Sequence, residues 1–279
     1  MIYPGGVISA LFERGKMARY ISLYSGSSGN CSAIEENGKF ILIDMGKSAR
    51  LTAAALNSAG LDIGDCHGIL ISHEHSDHTA GLKVFLKNRN IPVYTNAETR
   101  DFLTDRELIP AHIRIEDMGY KGVDIGDFFV SGFYTPHDSV GCMGFRINTK
   151  NGSSMSMATD LGHINENILQ NLMGVDLAVV ESNYDEKMLK EGVYPDYLKR
   201  RILSNNGHLS NVQSSMATIR LIESGVKKIH LCHLSENNNT PRIALGEVLN
   251  TALRYGYEID GDVTVKANRR HDITAPTEF

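Results

Sequence analysis

Gly68-Ile69-Leu70-Ile71-Ser72-His73-Glu74-His75-Ser76-Asp77-His78-Thr79-Ala80-Gly81 is the stretch on which the reading of this chain turns. Its opening apolar run predicts a buried strand, and its close predicts the start of a helix. The loop between them carries three imidazoles and a carboxylate. Neutral imidazole nitrogen and ionised carboxylate oxygen are ligands for zinc and related divalent cations. Without a cation, the imidazoles would be desolvated and Asp77 would lack a counter-charge, which is costly. Alternation lets His73 and His75 face one point, whereas the adjacent Asp77 and His78 are expected to splay apart. That arrangement suits two metals side by side. The competing reading is a polar loop of solvated histidines, but the whole chain holds 11 histidines and three of them crowd into this motif.

At 279 residues the chain can bury a large core. Its 42% hydrophobic and 22% charged content is that of a soluble globular protein rather than a disordered or membrane one. Net charge is −5, which two divalent cations would bring close to neutrality. Any nucleic-acid contact must then come from a local basic face. Candidates are Lys199-Arg200-Arg201, Lys83 with Lys87 and Arg89, and Arg269-Arg270, each competing with an ordinary solvated surface. Cys31, Cys66, Cys142 and Cys232 show no paired short spacing, so a reducing cytoplasmic setting is expected, with Cys232 in the core. No apolar run has the length of a membrane span, so no membrane partner is expected. A homo-oligomer is left open. Residues 1–16 read as an upstream extension or a disordered N-terminus, with Met17 as the natural start.

Strands are expected at 19–24, 31–35, 40–44, 68–72, 92–94, 112–116, 127–135, 142–148, 153–159, 176–181, 228–232 and 263–266. Helices are expected at 49–59, 79–88, 97–103, 195–204, 211–224 and 241–255, with Asn211 capping one and Gly225 ending it. Strands followed by helices in each half suggest two sheets packed face to face with helices outside, in one domain over 17–279. A loop alone cannot close two coordination spheres, so further ligands are expected at strand ends. His137, Asp160 and His233 each follow a predicted strand.

The form His-x-His-x-Asp-His, followed in order by His137, Asp160 and His233, resembles the metallo-β-lactamase superfamily. The resemblance implies an α/β fold, the αββα sandwich of two mixed sheets with helices on the outer faces. It also implies His73, His75 and His137 on one metal, Asp77, His78 and His233 on the other, and Asp160 bridging. A bridging carboxylate offsets the charge of cations held about 3.5–4 Å apart, and a water between them ionises near neutral pH. That hydroxide is the expected nucleophile. Asp44, closing Ile41-Leu42-Ile43-Asp44, is expected to orient an imidazole or the loop backbone from behind. Ligand types favour Zn2+, and the nitrogen–oxygen mixture also accepts Mn2+ or iron.

The chemistry turns on His208, in Gly207-His208-Leu209-Ser210-Asn211, for which no metal position is left. A phosphodiester expels an alkoxide that departs poorly unless protonated, and a histidine is a suitable acid. Asp77 and His208 therefore take the catalytic assignment. The position of His208 resembles the extra histidine of phosphodiesterase branches such as RNase Z, RNase J and the PhnP-type cyclic phosphodiesterases. The interval from Asp160 to His233 is too short for the inserted domain of RNase J, and the RNase Z arm has no counterpart.

Ser25-Gly26-Ser27-Ser28-Gly29-Asn30-Cys31, the histidine motif, Glu181-Ser182-Asn183-Tyr184-Asp185, the His208 segment and His233-Leu234-Ser235-Glu236-Asn237-Asn238 together resemble the YycJ (WalJ) family. The match runs from Arg19 to the C-terminus. It departs from the family pattern at Pro136-His137-Asp138-Ser139, where a Ser-His-Asp-Ala type is common. The resemblance implies a metal-dependent 5′-to-3′ DNA exonuclease linked to repair. A terminal phosphate could be held by the turn containing Ser27 and Asn30, or by Ser235, Asn237 and Asn238. Lys199 and Arg201 are placed to meet the phosphate backbone, and Glu181 to orient the site. The alternatives are a small-molecule cyclic phosphodiesterase of the PhnP kind and a glyoxalase II-type thioester hydrolase.

Overall fold

A computed structural model describes residues 17–259 and 263–279; the extension or disordered start expected at 1–16 lies outside the described residues. One seven-stranded sheet is built from β1 (Arg19–Tyr24), β2 (Cys31–Glu36), β3 (Lys39–Ile43), β4 (Cys66–Leu70), β5 (Val93–Thr95) and β6 (Ile115–Asp117). The second is built from β7 (Gly122–Ile125), β8 (Phe128–Tyr134), β9 (Met143–Thr149), β10 (Ser154–Ala158), β11 (Leu177–Glu181), β12 (Lys228–Cys232) and β13 (Thr264–Ala267). The C-terminal β14 (Thr277–Glu278) returns to β1, giving the order β14-β1-β2-β3-β4-β5-β6 in the first sheet; the second runs β13-β12-β11-β10-β9-β8-β7. Both sheets are mixed, antiparallel on one side and parallel on the other.

Alternation along the strands decides which core each side chain joins. In β3, Ile41 and Ile43 enter the core between the sheets, whereas Phe40 and Leu42 face the outer layer of α1 (Ala49–Ser58) and α3 (Leu82–Leu86). In β11, Leu177 and Val179 point inward, and Ala178 and Val180 point outward toward α5 (Glu166–Leu172), α8 (Asn211–Glu223) and α9 (Pro241–Arg254). Two sheets share the middle cluster and helices cover both outer faces, so the expected αββα sandwich is the fold. Cys232 belongs to that middle cluster, as the sequence reading placed it. The hairpin at Asn37-Gly38 has φ of 53° and 81°, the pairing that a tight two-residue turn requires.

The expected helix at 79–88 is broken into α2 (Ser76–Thr79) and α3 at Ala80-Gly81. Gly81 comes so close to the neighbouring chain that a Cβ there would stand 2.1 Å from the Lys47 carbonyl oxygen, and its N–H donates to Met45 instead of continuing the helix. The cap of α8 is Ser210 rather than Asn211: Ser210 and Gln213 form a reciprocal capping box. The amide of Asn211 is occupied by Ser182 and Asn239. Three further helices lie along the surface, α4 (Ala97–Asp105), α6 (Glu186–Glu191) and α7 (Asp196–Ile202). No helix among the described residues is long and apolar enough to cross a membrane.

Candidate metal centre

Strand direction gathers the site. Because β8, β10, β11 and β12 run the same way, their C-terminal ends open on one edge of the sandwich. His137 follows β8, Asp160 follows β10, Glu181 closes β11 and His233 follows β12; the histidine motif follows β4 of the other sheet. Two of these turns hold a non-glycine residue in left-handed backbone, Asp160 with φ of 55° and His233 with φ of 54°, and so does the turn after β3, where Asp44 has φ of 60°. Such conformations cost of order 1–3 kcal/mol each and persist where the surroundings over-determine them.

The ligand loop is pinned by backbone. Asn30 N–H donates to Asp77 O at 2.8 Å, Met45 N–H to His78 O at 2.7 Å, and Gly46 N–H to Asn30 O at 2.8 Å. A Cβ on Gly46 would stand 1.7 Å from Asp77 O, so only glycine permits this approach. Asp44 accepts from the Ser72 amide at 2.8 Å and from His78 Nδ1–H at 2.8 Å. A carboxylate can only accept, so the His78 proton sits on Nδ1 and Nε2 is left for the centre. Ser72 Oγ donates to Asp44 and accepts from His73 Nδ1–H, which orients a second ring. Asp44 thus stands behind an imidazole, where the sequence reading put it. Glu181 does the same with one oxygen, accepting from His233 Nδ1–H at 2.7 Å and His208 Nδ1–H at 2.9 Å. Its other oxygen accepts from the Leu161 and Leu209 amides. His137 Nδ1–H donates to Gly207 O at 3.0 Å.

His73, His78, His137 and His233 therefore each turn Nε2 toward one place. Ligand atoms of His73, His75 and His137 lie within 4.8 Å of one another, and so do those of Asp77, His78 and His233. Asp160 reaches both groups, with Oδ2 3.2 Å from His78 Nε2 and Oδ1 3.9 Å from His137 Nε2. Asp77 and His78 do not splay as the strand-like alternation suggested: Asp77 Oδ2 lies 3.5 Å from His78 Nε2 and 3.5 Å from His233 Nε2. The two residues sit in the first turn of α2, where neighbours are separated by roughly 100° rather than 180°. The His137 and His233 Nε2 atoms are buried without a hydrogen-bond partner. Orphaned nitrogens beside ionised carboxylates are a donor set that fits divalent cations.

Electrostatics agrees with that fit. Burial disfavours the charge on Asp160 and Asp77, yet the surrounding imidazoles, His233 and His78 for Asp160 and His78 for Asp77, hold both carboxyls below the usual range. Burial likewise opposes the Glu181 charge, and His208 with His233 holds its pKa at about 2. Burial lowers His73 and His137. On His233 the carboxylates of Asp160, Asp77 and Glu181 outweigh burial and push the pKa up to about 10. The carboxylates of Asp44, Asp160 and Asp77 likewise outweigh burial and raise His78, so the spot attracts positive charge.

The remaining expected residues separate. A cavity of about 250 Å³ is lined by Ser27, Ser235 and Arg201 together with His75, Asp77, His137, Asp160, His208 and His233. Arg201 forms a two-pronged ion pair with Asp138 at this cavity. Asn30 is corrected from a phosphate contact to a prop: it accepts from Gly26 N–H, and its Nδ2 lies 3.1 Å from His78 Nε2 and 3.4 Å from Asp77 O. Asn237 is drawn away to the Tyr194 hydroxyl, Lys199 to the Lys190 carbonyl, and Asn238 is buried under Gly192. None of these three lines the cavity. Sequence reasoning missed Ser72, Asn183, Tyr194, Leu198 and Ile202. Ser72, adjoining the motif, could have been found as a hydroxyl placed to relay between Asp44 and His73.

Fold and donor set define a protein of the metallo-β-lactamase fold, and the family model described as the β-lactamase superfamily domain matches residues 39–233. The solved structure of the metallo-β-lactamase fold protein YhfI from Bacillus subtilis superposes with a TM-score of 0.70 at 14% identity, covering 93% of this chain and 99% of that one. Over 230 residues the chain is 35% identical to the exodeoxyribonuclease YycJ of Bacillus anthracis, covering 80% of this chain and 84% of that protein. Over 265 residues it is 33% identical to the exodeoxyribonuclease WalJ of Streptococcus pneumoniae, covering 94% and 98%. The chain belongs to the YycJ/WalJ family of the β-lactamase superfamily.

Proposed function

We propose that the protein is a metal-dependent phosphodiesterase of the nuclease kind, acting as a 5′-to-3′ DNA exonuclease. The observation that carries this reading is His208, which stands beside the candidate ligands with its Nδ1–H fixed on Glu181 and its ring facing the cavity. His73, His75 and His137 would hold one divalent cation, Asp77, His78 and His233 a second, and Asp160 would reach both. When bound, such cations supply Lewis acidity, activating water and neutralising charge on a phosphoryl group. With Nδ1 committed, the mobile proton of His208 is the one on Nε2, which passes to the departing sugar oxygen as the phosphorus–oxygen bond breaks. Arg201 draws the phosphate backbone to the cavity. The relatives' printed activity, exodeoxyribonuclease, supports DNA as the substrate. Four free, buried cysteines suit a reducing, cytoplasmic setting.

Incubation of the metal-loaded protein with end-labelled DNA, beside a cyclic phosphate ester and a thioester, tests the reading. Nucleotides leaving stepwise from the 5′ end are expected, and His208→Ala should slow release by about 10²-fold or more. Turnover of the cyclic ester without attack on DNA moves the assignment to a small-molecule phosphodiesterase. A His208→Ala protein of wild-type activity on the thioester alone moves it to thioester hydrolysis.

A further inference from the structure

The cavity has two unlike sides. One is the cluster of imidazoles and carboxylates; the other is carbon, made by Tyr194, Leu198 and Ile202 of the segment that carries α6 and α7. That segment has a small core of its own, Tyr184, Leu189 and Ile202, separate from the three large clusters. Tyr194 and Leu198 pack against this small core and are only half-buried, so each also presents surface to the cavity. The Tyr194 ring is fixed by its hydroxyl, which accepts from Asn237 Nδ2 at 3.0 Å. The same segment leaves Tyr197 68% exposed and ends α7 in Lys199, Arg200 and Arg201, a local basic run on a chain of net charge −5. Aromatic faces interleaved with basic side chains are the physical requirement for holding a single strand, because every base has a π-face and every phosphate a charge.

We propose that Tyr194 and Leu198 form a nucleobase subsite, on which the unpaired base of the terminal nucleotide packs while its phosphate lies toward the ligand cluster and Arg201. This rests on the nuclease reading and deepens it. The wall offers carbon surface and a single hydroxyl, so packing on it rests chiefly on the π-face that every base has rather than on readout of base edges. Removal of terminal nucleotides is therefore tolerant of sequence.

The test compares wild type, Tyr194→Ala, Tyr194→Phe and Leu198→Ala on oligonucleotides with either an ordinary or an abasic 5′-terminal nucleotide. Tyr194→Ala should lower kcat/KM on the ordinary end by about 5- to 100-fold, mostly through KM, and Tyr194→Phe by far less. Wild type should already be slow on the abasic end by a similar factor, with no further loss in Tyr194→Ala. Leu198→Ala should repeat the pattern in smaller measure and decides the matter if Tyr194→Ala does not fold. Equal losses on ordinary and abasic ends, or wild-type indifference to the missing base, overturn the subsite. Release of no nucleotide from any DNA by the metal-loaded wild type overturns the nuclease reading, and the subsite with it.

Discussion

Glu181→Gln keeps the shape of a fully buried side chain and changes one oxygen for an amide nitrogen. The carboxylate accepts four hydrogen bonds, two from the backbone amides of Leu161 and Leu209 and two from His208 and His233. Glutamine has one carbonyl oxygen, so its NH2 group must face one of these donor pairs. Turned toward the backbone, it leaves two buried N–H groups unpaired, at about 1–3 kcal/mol each, or roughly 2–6 kcal/mol of stability. Turned toward the rings, it forces His233 to move its proton from Nδ1 to Nε2, the atom that faces Asp77 Oδ2 in the ligand cluster. That outcome removes the lone pair a metal needs, and loss of such an orienting partner typically weakens metal binding about 10- to 100-fold. Urea unfolding of the metal-free protein reads the first loss, and competition against a chelator reads the second. A Glu181→Gln protein with both the stability and the metal affinity of wild type would refute the argument that this carboxylate fixes the rings.

Two further expectations follow from the same geometry. Gly46→Ala sets a Cβ against the Asp77 carbonyl, backbone on backbone, so it should cost about 1–3 kcal/mol by overpacking and shift the ligand loop; unfolding midpoint and metal stoichiometry should fall together, and an unchanged midpoint would show that the loop has slack. His230 is buried between Asn268 and Thr277, and burial, with Lys266 adding to it, pushes its pKa down to about 4. Between about pH 6.5 and 4 the unfolded chain binds the extra proton, so stability should fall with falling pH by about 3 kcal/mol over that window. Wild type minus His230→Gln isolates this from the other histidines, and parallel pH profiles for the two proteins would contradict it.

Much of the site was legible because ligand chemistry demands particular residue types at strand ends, and the strands carried their own alternating signal. The side chains of Asp44, Glu181 and the residues read as ligands lie at one edge of the sandwich. Elements with short or mixed signals were missed. Helix α5 has seven residues and α6 six, too short to repeat an amphipathic pattern, and β7 is a four-residue, largely exposed edge strand, too short to show alternation. The helix read at 79–88 failed at Gly81, whose role depends on the distant Lys47 carbonyl. The phosphate contacts were the weakest part of the reading. Asn30, Asn237 and Asn238 have the right chemistry, but asparagine serves a backbone as readily as an anion, and sequence does not say which partner is near. Tyr194 gave no signal at all, since its neighbours Val193 and Pro195 fit no period.

Two divalent cations held by these side chains should drive phosphodiester cleavage. Stepwise addition of Zn2+ or Mn2+ to chelator-stripped protein, with bound metal and nucleotide release measured on the same samples, tests it most directly. Binding should saturate at about two equivalents per chain, with release from DNA rising as the second equivalent binds and lost in Asp160→Asn. Full release at one equivalent, or two metals bound by a protein that leaves every phosphodiester intact, would contradict it.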